Sequence, residues 1–263
     1  MKTRKNKFLH MSLANWGEVR EHAYDVAILP WGAMEPHNYH LPYLTDCILS
    51  YEIAGDAAEM AYQQGVTCMV LPPVFLGSQN AGQWNKPFCV HARSETQKAI
   101  LEDIAASLHV QGFRKLVIVN GHGGNSFKSY IRDLAMTRPD FRIVVVDWFA
   151  VLPKEGYFEE DPDDHAGEQE TSVMLHYHPE LVSMERAGDG ATTPGKIPAL
   201  EEKVGWAPRH WDEVSADTGI GNPKKSTANK GKHYAEAVAR KIAQLLVELK
   251  EASESGGEFT SPT

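Results

Sequence analysis

The chain has 263 residues, and its 26 Lys plus Arg against 35 Asp plus Glu give a formal net charge of −9 at pH 7. An acidic balance without an extended basic cluster argues against a nucleic-acid surface and for a small-molecule partner. No run of about 18 apolar residues occurs, and the basic start MKTRKNKFLHM has no apolar segment behind it, so the expectation is a soluble, cytoplasmic protein that does not engage a membrane. In chain order, apolar runs at 25–31, 66–74, 115–120 and 142–148 read as short buried strands. Helices are expected between them at 48–64, 95–110 and 126–137, the second behind a capping-box-like Ser94 and Gln97. Strands alternating with helices predict an α/β fold with a mainly parallel sheet covered on both faces, and its ligand site beyond the strand carboxyl ends.

A further helix is expected from near Gly167 to about His178, stopped by Pro179. Residues 186–231 then turn rich in Gly, Pro, Thr and Lys. Irregular segments of that length are usually functional or disordered, and this one is expected to be an ordered loop near the site or at a subunit contact. The last helix, 233–250, places Val238, Ile242, Leu245, Leu246 and Leu249 on one face as a core stripe. The division is a single domain over 1–250 and a flexible tail over 251–263. Cys47, Cys68 and Cys89 form no CxxC pattern, so neither a disulfide framework nor a thiolate metal site is implied.

The chemistry concentrates in three polar clusters. The stretch LPWGAMEPHNYHLPYLTD, residues 29–46, carries Glu35, His37, His40 and Asp46 directly after the first strand. Imidazole and carboxylate together suit zinc, manganese or iron, whereas an all-oxygen set suits magnesium or calcium. Glu35 and His37 are two apart and face the same way in extended backbone. Asp46 is read as a bridging ligand or as a cap for the helix that follows, and His40 as a packing residue that orients a ligand. The third strand runs into Gly121, His122, Gly123, Gly124 and Asn125. This turn lacks both GxGxxG and GxxxxGK[ST], and a histidine inside it suits a metal better than a phosphate. The third cluster is DDHAGEQET, with Asp163, Asp164, His165, Glu168 and Glu170. A Cys or Ser nucleophile has no support, because no GxSxG elbow is present and Cys89 with His91 is too local for a dyad.

Through PWGAMEPHNYHLPYLTD, VNGHGGN, DDHAGEQETS and the late TGIGNPKKSTANKG, the chain resembles the creatininase (creatinine amidohydrolase) family over roughly residues 23–250. The resemblance implies a creatininase-like three-layer sandwich and a metal-dependent hydrolase acting on an amide, cyclic amide or formamide C–N bond. It implies two divalent ions per chain, zinc first and manganese or iron next, held by Glu35, His37, Asp46, His122 and Glu168. It also implies His165 as the proton donor to the departing nitrogen, with Asp164 tuning it, and a homo-oligomer for which a hexamer is one candidate. Creatinine-hydrolysing members carry Tyr and Glu where this chain has Gly123 and Gly124. That Glu is a metal ligand, so the GHGGN branch needs another carboxylate, for which Glu168 of HAGE is the expectation. Gly123 and Gly124 are then expected to line the substrate. Residues 77–91 also depart from the family pattern, which leaves the substrate open. A non-catalytic metal-binding member is the rival reading.

Overall fold

A computed structural model describes residues 6–254. Four strands, β1 (Val26–Trp31), β2 (Cys68–Val70), β3 (Lys115–Asn120) and β4 (Arg142–Asp147), form one sheet in the order β2-β1-β3-β4, with every pair parallel. The main helices are α1 (Thr45–Tyr62), α2 (Ser94–Val110), α3 (Lys128–Thr137), α4 (Glu168–Tyr177) and α5 (Ala228–Glu254). Side chains alternate across a strand, so the sheet feeds two cores. Val26, Ile28, Val117 and Val119 pack with Ile53, Met174, Val238 and Leu246 of α1, α4 and α5. Ala27, Leu29, Leu116 and Ile118 pack on the opposite face with Leu101, Ala105 and Leu134 of α2 and α3. This is the expected three-layer α/β sandwich. Burial on both faces is why β1 and β3 read as unbroken apolar runs.

Boundaries differ where local chemistry intervenes. The second apolar run gives only three strand residues, because Pro72 and Pro73 supply no N–H to the ladder; Val74 then rejoins β1 through a single bridge to Trp31. Helix α1 begins three residues before the expected 48, which brings Asp46 into its first turn. Helix α5 covers 228–254, so 251–254 is helical and the rest of the expected tail lies outside the described residues. The segment 186–231 is ordered through short helical turns and bridges pairing Thr192 with Ser215 and His165 with Ile220. Among the described residues, no helix is long and apolar enough to cross a membrane.

The strand order locates the crevice. The chain passes from β1 outward to β2, then returns across β1 to β3, so the winding direction reverses between β1 and β3. In an open parallel sheet that reversal leaves a cleft at the carboxyl ends of the two strands. Gly32 and Gly121 follow those ends immediately. A Cβ on Gly32 would lie 2.6 Å from the backbone nitrogen of Cys47, and one on Gly121 would lie 2.4 Å from the Asp46 carbonyl oxygen. Glycine at both places lets the first turn of α1 press against the strand ends and carries Asp46 into the cleft.

Candidate metal centre

Glu35 and His37 lie a few residues past β1, His122 two residues past β3, and Asp46 in the first turn of α1. His165 and Glu170 enter from the corner that opens α4. Three overlapping groups, each with potential ligand atoms within 4.8 Å of one another, join Glu35, Asp46 and His122; His37, Asp46 and Glu170; and Glu35, His37 and His165. All six residues are buried. Asp46 Oδ1 lies 2.9 Å from His37 Nε2, while its Oδ2 lies 3.2 Å from His122 Nδ1. His122 Nδ1 is also 2.9 Å from Glu35 Oε1.

The backbone fixes which ring nitrogens face inward. His37 Nδ1 donates to the Glu35 carbonyl at 3.1 Å, His122 Nε2 to the Ser78 carbonyl at 2.6 Å, and His165 Nε2 to the Pro36 carbonyl at 3.0 Å. A carbonyl only accepts, so each of those nitrogens carries the proton, and in a neutral ring the other nitrogen offers a lone pair to the cluster. Metal-binding histidines are commonly oriented in this way. Asp46 Oδ2 is buried, and its neighbour His122 Nδ1, 3.2 Å away, is not aligned for a hydrogen bond to it. Such an oxygen costs about 1–3 kcal/mol or more when left without a donor. A divalent cation would satisfy it, and the mixed nitrogen and carboxylate set fits zinc, manganese or iron.

The electrostatics agree. Burial opposes the charged form of His37, yet the Asp46 carboxylate outweighs it and holds the imidazole up at about 10. His122 is likewise buried and is raised well above its ordinary value by Glu35 and Asp46. Burial disfavours the carboxylates of Glu35 and Asp46, but the adjoining imidazoles win and keep both below the usual range. Glu170 goes the other way: its burial is not offset by His37 and His165, so its carboxyl is raised. Protons therefore compete with a divalent ion for the same inward lone pairs.

Glu35, His37, Asp46, His122 and His165 are brought together as the sequence suggests; Glu168 is not. Its carboxylate is fully buried on the far side of α4, where Oε2 accepts the N–H groups of Glu159 at 2.7 Å and Glu160 at 2.9 Å and Oε1 pairs with Lys230. Two residues on a helix are separated by about 200°, so once Glu168 faces Lys230, Glu170 faces the cluster. Glu170 thus occupies the place expected for Glu168, steadied by the Ala166 N–H on its Oε2 at 2.6 Å. Asp164 turns outward to Arg209 and does not reach the His165 ring; the backbone of His165 is held by Ile220 instead. Of the two glycines, Gly123 borders the cavity with open space before it. Gly124 is packed, since a Cβ there would lie 2.3 Å from the Ser78 carbonyl and 2.5 Å from His122 Nε2. His40 stays outside the cluster and meets Thr171 Oγ1 at 2.8 Å.

Two supporting residues are not evident from sequence. Gln83 is buried and donates Nε2–H to Glu35 Oε2 at 2.7 Å, leaving Oε1 for the histidines. Thr218 Oγ1 accepts Asn38 N–H at 2.9 Å and donates at 3.4 Å to the same Pro36 carbonyl that anchors His165. Nothing in local pattern marks Gln83. Thr218 sits inside the late TGIG motif, which suggests proximity to the site but no role.

A family model named Creatininase and described as creatinine amidohydrolase matches residues 12–246. The mycofactocin precursor peptide peptidase of Mycobacterium ulcerans (strain Agy99) is 30% identical over 227 residues, 83% of each chain. The creatinine amidohydrolase of Pseudomonas putida is 31% identical over 184 residues, 62% of this chain and 68% of that protein. A crystal structure from Bacteroides fragilis NCTC 9343, provisionally named creatinine amidohydrolase, superposes with a TM-score of 0.92 at 58% identity, covering 94% of this chain and 98% of that one. The fold is also shared, at TM-scores of 0.74 and 0.75, with a manganese creatininase and a mutant creatininase of Zn-Zn type, which are 23% and 24% identical over 91% of this chain and 98% and 97% of theirs.

Proposed function

The chain belongs to the creatininase family, and from that premise we propose that it is a binuclear metal amidohydrolase that cleaves the C–N bond of a small or peptide-like amide. The observation that carries this reading is the division of Asp46 between two imidazoles, one oxygen to His37 and the other to His122. It supports one site from Glu35, His122 and Asp46 and a second from His37, Glu170 and Asp46, with Asp46 shared. Zinc is the first candidate ion and manganese the second, in keeping with the creatininase structures of those types. Two divalent ions bound there would polarise the amide carbonyl and lower the pKa of a water molecule.

The remaining chemistry falls to the chain's own residues. His165 Nε2 is committed to the Pro36 carbonyl, so Nδ1 is the atom that exchanges a proton. It lies 3.8 Å from Glu35 Oε1 at the wall of the cavity, which supports His165 as the donor to the departing nitrogen, otherwise a poor leaving group. The ring is held between His37, with centroids 4.3 Å apart, and the edge of Trp211 at 5.4 Å. Such packing restricts its rotation and keeps water off one face. The open space before Gly123 leaves room for a substrate close to the backbone.

A thiol nucleophile finds no help in the structure. Cys47 and Cys68 are buried, and burial pushes the thiols of Cys68 and Cys89 up to about 12. His91 Nδ1 already accepts the Gln79 N–H. The proposal is tested by metal analysis joined to hydrolysis assays on lactams, formamides and short peptides. About two ions per chain, with activity lost to a chelator, restored by metal and indifferent to a thiol reagent, is expected. A reconstituted protein that holds almost no metal would overturn it. A full metal complement without hydrolysis of any amide would leave the non-catalytic reading in its place.

A further inference from the structure

The metal cavity, about 80 Å³, does not close on itself. Lys154, Asp163 and Asp164 line it and also line an outer cleft of about 720 Å³, bounded on its far side by Thr192, Arg209 and Val214. The inner space has room for only a handful of water-sized groups. The outer cleft falls in the range of roughly 300–1,000 Å³ that holds drug-sized ligands. A substrate whose reacting carbonyl enters the inner space therefore has a compact part inside and room for an extended part outside. Lys154 stands at the throat between them.

Among the described residues lining the inner cavity, Lys154 is the sole Lys or Arg. An ammonium has three donors. One of them goes to the Asp163 carbonyl. The Asp163 carboxylate, 3.6 Å away, forms an ion pair with the ammonium without a direct hydrogen bond and also accepts the Gln169 N–H at 3.0 Å. The Lys154 side chain is about one-third exposed, so it keeps donor capacity on the cleft side. Arg209, the other cation of the outer cleft, is already matched by Asp164 and lies over the Trp211 ring at 5.7 Å.

We propose that Lys154 is a specificity-determining residue that binds a carboxylate on the extended half of the substrate, so that the substrate class is an amide bearing a carboxylate a few bonds from the scissile carbonyl. This rests on the amidohydrolase reading above. A single ammonium that already shares its charge with Asp163 matches a singly charged carboxylate rather than a phosphate dianion. Among the lining residues, none but Lys154 joins a fixed positive charge to a position bordering both spaces.

The test uses two hydroxamates, which chelate divalent ions through the same head group. One is succinic monohydroxamate, with a carboxylate tail; the other is its carboxamide analogue, neutral and of nearly equal size. Binding of each to the metal-loaded full chain is measured by calorimetry. The wild type is expected to hold the carboxylate probe roughly tenfold or more tightly than the neutral one, as for a charge-assisted hydrogen bond. Lys154→Met should erase that preference by weakening the carboxylate probe alone, and Lys154→Arg should preserve it. Equal binding of the two probes by the wild type overturns the inference even if the Met variant fails to fold. Lys154→Met weakening both probes alike overturns it as well. If neither probe binds in a metal-dependent way, the metal-centre reading itself fails and this inference falls with it.

Discussion

The two walls of the candidate metal centre are held by different means. Glu35 and His122 follow β1 and β3 closely, and Asp46 rides a helix turn pressed onto both strand ends by Gly32 and Gly121. Sheet register fixes that wall. His165 and Glu170 stand on a loop-to-helix corner with no strand beneath them, and partners distant in sequence hold it: Ile220 pairs with the His165 backbone, Pro36 with its ring, and Lys230 with Glu168 behind. The strand-borne wall is set by sheet register, whereas the loop-borne wall joins a helix anchored in the core by Val173 and Met174 to a corner oriented by hydrogen bonds from distant segments.

Asp46 stands on the strand-borne wall but takes part in a ligand group with Glu170 of the other, so its loss gives the largest effect. Asp46→Ala should remove both ions and lower turnover by at least roughly 10³, with the far-ultraviolet circular dichroism unchanged. Retention of a full complement on metal analysis would show that the two sites do not share it. Next comes His165→Ala, expected to lower turnover by roughly 10²–10⁴ while both ions stay bound, as for a positioned acid or base. Unaltered turnover on the best amide substrate would remove His165 from the mechanism, and loss of an ion would make it a ligand instead.

The same contrast explains what can be read from the chain alone. Apolar runs that end shortly before Glu35 and His122 announce both the strands and the residues that follow them, so that wall is legible in the amino-acid sequence. Asp46 is legible only through the family resemblance, since its position alone suits a cap for the following helix equally well. The HAGEQE corner offers two glutamates, and family resemblance favours Glu168. What decides between them is the third dimension: Lys230, 62 residues away, and the backbone N–H groups of Glu159 and Glu160 claim Glu168 and turn Glu170 inward. Gln83 is invisible for the same reason, because its partner Glu35 lies 48 residues earlier on a different loop.

Glu168 and Glu170 provide the sharpest test of that distinction. Glu170→Gln should release one of the two ions and most of the activity. Glu168→Gln should keep both ions but lower Tm by a few degrees, since it weakens charge-assisted hydrogen bonds worth about 1–3 kcal/mol. Metal analysis and thermal melts of the pair separate the two roles, and the opposite pattern would return Glu168 to the metal centre. A smaller effect divides the glycines. Gly123→Ala should be nearly silent in metal content, whereas Gly124→Ala meets the Ser78 carbonyl and the His122 ring and should weaken metal affinity by roughly 10–100-fold, the usual cost of disturbing a ligand's orienting partner. Equal affinity in the two variants would show that the Ser78–His122 contact does not set the ring.

The smallest effect is a dependence on pH, and its sign follows from the imidazole wall. His37 titrates at about 10 in the folded, metal-free chain against an ordinary value of 6.5, and His122 is also raised. Groups raised on folding contribute stability fully below the ordinary value and lose it as pH climbs through the folded one. Metal-free protein should therefore lose stability between pH 6.5 and about 10. A bound divalent ion replaces those protons, so metal-loaded protein has no such loss to suffer, and its affinity for the ion rises over the same interval as proton competition fades. The difference in Tm between metal-loaded and chelator-treated protein should accordingly widen from about pH 6.5 to about pH 9.5. His37→Gln, which removes one of the competing imidazoles, should flatten that widening. A difference that stays constant or narrows toward the alkaline end would mean that the imidazoles of His37 and His122 do not hold protons where the ions bind.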